Sequence, residues 1–197
     1  MKQIFFLIVG LFFIGCSQQV SPVKQYRLDV VVQNQSLQKF TCKQKSVKIL
    51  FPTSTYEYTT NKFFYVQGLE EGSYIQSSWA RTPVSEIYLL LLKNLRQSGA
   101  FKTVQNYVSV AHGDLNLEVD IQNFKQYFSK DAKSSYVVAD ITLTLIDKKS
   151  YQVMAQKNFY KKLQTSSADA KGGVEAFNKV LEMLLPDMIK WIGGSCS

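Results

Sequence analysis

The chain has 197 residues, of which 46% are hydrophobic and 13% aromatic, and its formal net charge is +8. This composition excludes an intrinsically disordered protein and suffices for one domain with its own hydrophobic core. Lysine carries nearly all of the positive charge, with arginine only at Arg27, Arg81 and Arg96. Because nucleic-acid-binding proteins rely on arginine forks, this bias argues against them and suits anionic lipid head groups or an acidic protein face.

Residues 1–15 are predicted to be an export signal. Lys2 supplies a positive start, and Ile4–Ile14 is an apolar run broken only by Gly10. A bilayer-spanning helix needs about 20 apolar residues, which this run does not reach. The segment therefore predicts a signal peptide that is removed from the mature protein.

The signal ends on Phe13-Ile14-Gly15-Cys16, which resembles a bacterial lipobox with phenylalanine where leucine is usual. The resemblance implies that Cys16 is acylated and becomes the first mature residue. An ordinary signal peptide cleaved elsewhere is the alternative. Ser17 stands where aspartate would favour the inner membrane, so we expect the periplasmic face of the outer membrane. Residues 16–24 would be a lipidated tether, and residues 25–197 a single globular domain.

Cys42 and Cys196 remain once Cys16 is acylated. The periplasm permits disulfides, so this even pair is a disulfide candidate. Such a bond would close nearly the whole domain into one loop. Two unpaired thiols are the alternative.

The first half of the domain predicts four strands. Residues 26–32 are rich in β-branched side chains, and residues 46–51 alternate before Pro52 ends them. Residues 62–67 and 73–79 flank Gly68–Gly72, and this spacing predicts a hairpin with a loop of about five residues.

Residues 82–99 predict a helix. Thr82 can cap it, Pro83 suits its first turn and Gly99 can close it. Its core stripe at helical spacing consists of Val84, Ile87, Tyr88, Leu91 and Leu95.

Leu89, Leu90 and Leu92 lie off that stripe. A helix that is apolar most of the way round is buried on more than one side. We therefore expect these leucines to meet another chain, either a second copy in a homo-oligomer or a protein partner. The alternative is that the helix is covered on both sides within one chain.

The second half predicts three long strands. Residues 114–121 alternate strictly, and Phe124 is out of phase, which predicts a β-bulge near Gln122–Asn123. Residues 136–146 and 151–161 continue the sheet.

A last helix is predicted over Ala170–Ile192, ended by Gly193-Gly194 and kinked at Pro186. Together these elements predict an α/β fold at the border of α+β. We expect a mixed, mostly antiparallel sheet of about five to six strands with two main helices packed on it.

Little in the sequence indicates catalysis. His112 is the only histidine, so a zinc-type ligand set is not expected, and a Ser–His–Asp site lacks the G-x-S-x-G turn that would support it. Neither nucleotide-binding glycine motif is present. We expect no catalytic residue, no metal and no cofactor.

The order of several motifs is similar to the ABC-type transport auxiliary lipoprotein family. After the lipobox these are Tyr26-x-Leu28, Pro52, Trp79-Ala80-x-x-Pro83, Gly99-x-Phe101 and the alternating run from Leu115 to Phe124. Thr53–Tyr58 departs from the family pattern. The resemblance implies that Tyr26, Leu28, Trp79 and Pro83 are family-motif residues, for which a structural role is the simpler interpretation.

The resemblance also implies a sheet with helices packed on it, similar to anticodon-binding domains. It implies a non-enzymatic subunit that accompanies a mammalian-cell-entry (MCE) domain protein and an ABC permease and ATPase. Such systems move lipids between the inner and outer membranes. A structural outer-membrane lipoprotein that stabilises an envelope assembly and a periplasmic enzyme are the alternatives.

Overall fold

The computed structural model describes residues 22–30 and 39–196. The predicted signal peptide, Cys16 and most of the predicted tether lie outside these residues. Within the described ranges, no helix is both long and apolar enough to span a bilayer.

The described residues form nine strands, two α-helices and one short 3-10 helix. In chain order these are β1 (Lys24–Tyr26), β2 (Ser46–Ile49), β3 (Thr53–Ser54), the 3-10 helix (Tyr56–Thr59), β4 (Lys62–Gln67), β5 (Glu70–Trp79), α1 (Pro83–Ser98), β6 (Thr103–Gln105), β7 (Leu115–Phe128), β8 (Ser135–Asp147), β9 (Val153–Gln164) and α2 (Ala170–Gly194). The predicted α/β class with two main helices is confirmed. The strands outnumber the expected five to six because β1, β3 and β6, with 3, 2 and 3 residues, are too short to show a period.

β7 is the central strand of the sheet. β8 pairs antiparallel along one edge of β7, and β9 pairs antiparallel with β8. Three strands share the other edge of β7, all parallel to it: β2 near its start, β3 near its middle and β4 near its end. β6 lies beyond β2, while β5 and then β1 lie beyond β4. The sheet therefore forks on one side of β7, and its three long ladders are antiparallel as predicted.

The predicted bulge in β7 is confirmed. The β7–β8 register shifts between Ile121 and Asn123, so alternation resumes in the opposite phase and Phe124 again faces the core. By contrast, the first predicted strand is misplaced. β1 ends at Tyr26, and Val31 and Val32 lie outside the described residues.

α1 begins and ends as predicted. The Thr82 hydroxyl accepts a hydrogen bond from the Ser85 N–H at 3.3 Å, and Pro83 occupies the first turn. Gly99 closes the helix at φ +66°, in the left-handed region that favours glycine. The whole predicted core stripe of this helix is buried.

α2 continues past its predicted end. Gly193 and Gly194 belong to the helix, and Ser195 caps it. The reason is packing, because a Cβ at Gly193 would overlap the Phe40 ring and crowd Ala100. Gly193 thus permits a close approach of the helix end and is not a helix stop. Pro186 lies inside the helix, and the kink expected there stays a prediction.

The long strands give the sheet two ends with different contents. The Leu69 end holds the β4–β5 turn (residues 68–69), the β7–β8 turn (residues 129–134) and the start of α2. The disulfide end holds the β8–β9 turn (residues 148–152), the end of α2 and the Cys42–Cys196 pair.

Candidate functional site

The family-motif residues lie in or against the hydrophobic core. Trp79 is 2% exposed, and its ring centroid lies 4.6 Å from that of Phe63 and 5.9 Å from that of Phe177. Leu28 and Pro83 are buried, and Tyr26 packs against the core beside Trp79, its register partner. These positions fit a structural role.

The predicted leucine surface on α1 needs correction. Leu90 and Leu92 are buried within the chain, at 8% and 7% exposure, so they offer no surface to a partner. The prediction of a partner surface at Leu90 and Leu92 is wrong because α1 is covered on more than one side by its own chain. Leu89 is 41% exposed, and a partner contact there stays a prediction.

Cys42 and Cys196 are joined by a disulfide in the structure, with their Cα atoms 5.0 Å apart and a sequence separation of 154. The Cys42 N–H donates to the Gly193 carbonyl at 3.0 Å. The C-terminal end of α2 is therefore tied to the segment that leads into β2.

The clearest candidate site is a cleft at the Leu69 end. Its volume is about 510 Å³, within the usual range for small-molecule pockets. Three aromatic rings form its floor: the Tyr65 centroid lies 5.2 Å from that of Tyr74 and 5.5 Å from that of Phe128. The remaining lining residues are uncharged: Gln67, Ser73, Ile75, Gln76 and Ala132.

The cleft exists because α2 begins too late to cover it. The carbonyl of Asp169, the cap of α2, accepts a hydrogen bond from the Gln126 side chain, so the helix starts level with Gln126. Within residues 22–30 and 39–196, no helix packs over the strand residues beyond that level. The aromatic core, which runs from Trp79 through Phe63 to Tyr74, therefore continues into the open cleft.

Two glycines shape this end of the hairpin. Gly68 has φ +64°, which a tight β4–β5 turn requires. Gly72 pairs with Tyr65, and a Cβ there would lie 2.8 Å from the Tyr65 ring. The expected five-residue loop is therefore wrong, because Glu70–Gly72 already pair with β4.

One polar network crosses beneath the aromatic floor. The Tyr74 hydroxyl donates to Gln126 Oε1 at 3.1 Å, and Gln126 Nε2 donates to Ser135 Oγ at 2.8 Å. Burial raises the pKa of Tyr74, and the nearby Asp169 carboxylate raises it further. The phenol therefore stays protonated at neutral pH. The cleft offers an apolar floor with neutral hydrogen-bonding groups, which suits a hydrocarbon chain or another protein's apolar side chain.

Two aliphatic side chains stand beside the cleft without cover. Leu69 is fully exposed in the β4–β5 turn, and Ile75 is 92% exposed on β5. Single exposed apolar residues are ordinary, whereas a group of them beside an open aromatic cleft indicates an interaction surface.

The disulfide end carries a lysine cluster instead, made of Lys45, Lys102, Lys148 and Lys149. Among the described residues, none of the four forms a direct ion pair with a carboxylate. Asp114 lies beside them and accepts hydrogen bonds from the Ser46 N–H and hydroxyl, both at 2.7 Å. These bonds, and Lys45 and Lys102 after them, hold the pKa of Asp114 below its ordinary value.

The other polar positions singled out in the sequence lie apart from the cleft. His112 is exposed in the loop before β7, beside the lysine cluster. Glu118 and Asp120 line a groove on the open face of the sheet, where Thr53 Oγ1 donates to Asp120 at 3.0 Å. Residues 22–30 and 39–196 hold no group of acidic, histidine and cysteine side chains suited to a metal ion.

Sequence reasoning missed the cleft and its neighbours. The available signal was Leu69, an apolar residue inside a turn sequence, followed by the isolated Ile75 in a polar stretch. The ring cluster could not be found because it depends on where α2 starts, which no local pattern specifies.

Comparison with known proteins places the chain among its relatives. Residues 72–188 match the family described as ABC-type transport auxiliary lipoprotein component. The crystal structure of a Xanthomonas campestris protein from the DUF330 family superposes with a TM-score of 0.77 at 15% identity, covering 86% of this chain and 94% of that one. A second crystal structure, of an uncharacterized protein, gives a TM-score of 0.65 at 13% identity, covering 87% and 99%.

A hypothetical protein from Chlamydia trachomatis gives a TM-score of 0.51 at 10% identity, covering 78% of this chain and 98% of that one. At such identities the likeness concerns the fold alone. No curated protein sequence matches the chain significantly. Since the family match spans more than half of the sequence, the chain belongs to the ABC-type transport auxiliary lipoprotein family.

Proposed function

We propose that this protein is a lipid-anchored periplasmic subunit of an ABC transport system of the MCE type, which moves lipids between the inner and outer membranes. The family match over residues 72–188 is the observation that carries this proposal. The lipobox-like Phe13-Ile14-Gly15-Cys16 supports it, because a subunit of this kind requires an anchor.

The proposed mature protein starts at Cys16. Residues 1–15 are the signal peptide, residues 16–24 the acylated tether and residues 25–197 the domain. Several acyl chains on one residue give stable attachment, because each buried methylene contributes about 0.8 kcal/mol. Ser17 favours the outer membrane, with the domain in the periplasm.

The proposed role is non-enzymatic. The cleft at the Leu69 end has an apolar floor and neutral polar groups, whereas general acid–base chemistry requires a group that titrates near the working pH. Burial moves the Tyr74 pKa further from neutrality. The cleft is thus suited to binding and not to proton transfer.

The lysine cluster is the proposed docking face for the transport partner. Unpaired lysines attract an acidic surface, and such charges mainly raise the association rate and select the partner. In this arrangement the disulfide end points to the MCE-type subunit.

Affinity capture of the tagged full-length protein from detergent-solubilised envelopes tests the proposal. We expect an MCE-domain protein with an ABC permease and ATPase to co-purify, together with phospholipid detectable by mass spectrometry. Lys45→Glu combined with Lys149→Glu should reduce this capture about tenfold. Lys130→Glu combined with Lys133→Glu is the matched control, with the same charge change at the Leu69 end.

Two outcomes would overturn the proposal. Capture of an outer-membrane assembly without any ABC subunit would favour the structural lipoprotein alternative. Recovery of the protein alone at low salt, where charge-driven contacts are strongest, would exclude a transport complex.

A further inference from the structure

We propose that the Leu69 end of the domain rests on the bilayer that holds the anchor, with Leu69 inserted among the lipid head groups. This inference depends on the acylation of Cys16 proposed above. It adds an orientation: one end of the sheet faces lipid and the disulfide end faces the periplasm.

The direction of β1 is the first argument. β1 is parallel to β5, with Lys24 opposite Ser77 and Tyr26 opposite Trp79. β5 itself starts beside Leu69. The chain therefore enters β1 from the side of the Leu69 end, and the exposed Pro22 and Val23 lie on that side.

Chain length is the second argument. Eight residues separate Cys16 from Lys24, and eight separate Leu69 from Ser77, the partner of Lys24. An extended tether of that length reaches about 26–29 Å, which matches the distance along β5 to the turn. The anchor can therefore lie level with Leu69.

The same tether does not reach the disulfide end. Gln25 pairs with Ser78, which pairs with Lys62, so β1 is level with the middle of β7. From there the start of β7 is about seven residues, or ~23 Å, away in the opposite direction. To reach the disulfide end, the chain before β1 would have to reverse its direction. The residues that remain extended after such a turn would be too few to span the ~23 Å to the start of β7.

The surface chemistry is the third argument. Leu69 lies in the β4–β5 turn at the tip of this end, and its side chain is fully exposed. Lys130 and Lys133 lie in the neighbouring β7–β8 turn, which Gln67 Nε2 joins to the end of β4 by donating to the Lys130 carbonyl at 3.1 Å. Glu70, Glu71 and Asp131 lie in or next to the same turns, so the lysines offset acidic charge and do not make this end basic. The exposed apolar side chain of Leu69 is therefore the group that would enter the membrane interface.

A protein strand is the competing occupant of this region. β1 covers only Ser77–Trp79, so among the described residues the edge of β5 from Glu70 to Gln76 has no partner strand. Such an edge could add a strand from another chain. The direction and length of the tether and the exposed Leu69 favour the membrane. The experiment below separates the two occupants.

Quenching of tryptophan by brominated lipid tests the inference. The full-length acylated protein is reconstituted in vesicles of phosphatidylethanolamine and phosphatidylglycerol with brominated acyl chains. Leu69→Trp should add a blue-shifted emission that these vesicles quench at least twofold, above the background from Trp79 and Trp191. Tyr151→Trp is the matched control, because Tyr151 is 78% exposed in the turn at the disulfide end; its added emission should remain unquenched.

The outcomes separate this inference from the proposed function. If the protein stays on the vesicles but neither added tryptophan is quenched, the orientation is wrong while the anchor stands. If brominated lipid fails to quench position 69 but an added envelope protein shields it from iodide, a protein strand occupies the edge and the inference is again wrong. If the acylated protein does not bind vesicles at all, the anchor itself fails. Near-ultraviolet circular dichroism checks that both variants keep the native fold.

Discussion

The two ends of one sheet differ in chemistry and in constraint. At the Leu69 end, strands run past the start of α2 and leave Tyr65, Tyr74 and Phe128 only partly buried, with Leu69 exposed in the neighbouring turn. At the disulfide end, Cys196, just after α2, is bonded covalently to Cys42 in the chain before β2, and the lysine cluster lies at the same end of the sheet. One end of the sheet thus exposes apolar surface, while the other is held by a covalent bond and exposes charge.

The position of α2 causes this difference. Asp169 caps its start at Gly172 with a hydrogen bond of 2.7 Å, level with the Gln126 side chain. At the other end Gly193 lets Phe40 and Ala100 pack against the helix. The helix therefore covers the sheet toward the disulfide end and leaves the opposite edge of the core open.

Removal of the anchor is the strongest test of this comparison. Cys16→Ser should abolish acylation and leave a soluble, unprocessed or mis-sorted protein, with less of it in the membrane fraction, because a surface contact alone is weak compared with several acyl chains. Fractionation of envelopes with immunodetection measures this. If the variant stays with the membranes to the same extent as the natural protein, the anchor hypothesis is wrong. Leu69→Ser is the matched control, which keeps the anchor and should remain membrane-bound.

Charge substitution in α1, which lies between the two ends, tests whether its surplus leucines belong to the hydrophobic core or to a partner surface. Leu90→Asp should destabilise the fold by about 4 kcal/mol or more, because it buries an unpaired charge. Leu89→Asp, at a position that is 41% exposed, should change stability by no more than about 0.5 kcal/mol. Urea denaturation measures both changes. If Leu90→Asp unfolds cooperatively with a nearly unchanged free energy of unfolding, Leu90 is not buried within the chain.

Removal of the disulfide tests the constraint at the second end. The bond closes a loop with a sequence separation of 154, for which the chain-entropy model allows about 5 kcal/mol, and measured losses are typically about 2–4 kcal/mol. The double variant Cys42→Ser with Cys196→Ser should lose stability in that range in urea denaturation. The reduced natural protein is the control and should match it. Two reactive thiols in the oxidised, unfolded protein would show that the bond is not formed in the cell.

Much of the sheet and of α1 could be predicted from sequence because their signals are local. Strict alternation in β7, its break before Phe124 and the Thr82, Pro83 and Gly99 helix signals each depend on neighbouring residues. The short strands β1, β3 and β6 could not be predicted, since pairing with distant partners is what makes them strands.

The candidate site shows the same limit. Its three rings come from β4, β5 and β7, and only the forked sheet brings them together. Gly72 looks like a loop residue in the sequence, yet in the structure it gives the Tyr65 ring room. The prediction for Leu90 and Leu92 is wrong for a related reason. A helix with more leucines than its core stripe needs is buried on several sides, but its sequence does not reveal whether the same chain or another chain buries it.

The smallest expected effect concerns acid at the disulfide end. The Ser46 hydrogen bonds hold the pKa of Asp114 below its ordinary value of 3.8. A carboxylate whose pKa is lower in the folded state stabilises the fold above its unfolded pKa, and this contribution is lost as the pH falls through the folded pKa. Asp114→Asn should therefore lower stability at pH 7 by less than about 1 kcal/mol, since solvent screens this exposed group. The difference in stability from the natural protein should shrink between about pH 4 and pH 2.

Urea midpoints across this range measure the effect. Asp187→Asn, at an exposed position on α2, is the control. A difference that stayed constant with pH would mean that the Asp114 charge does not stabilise the join between β2 and β7.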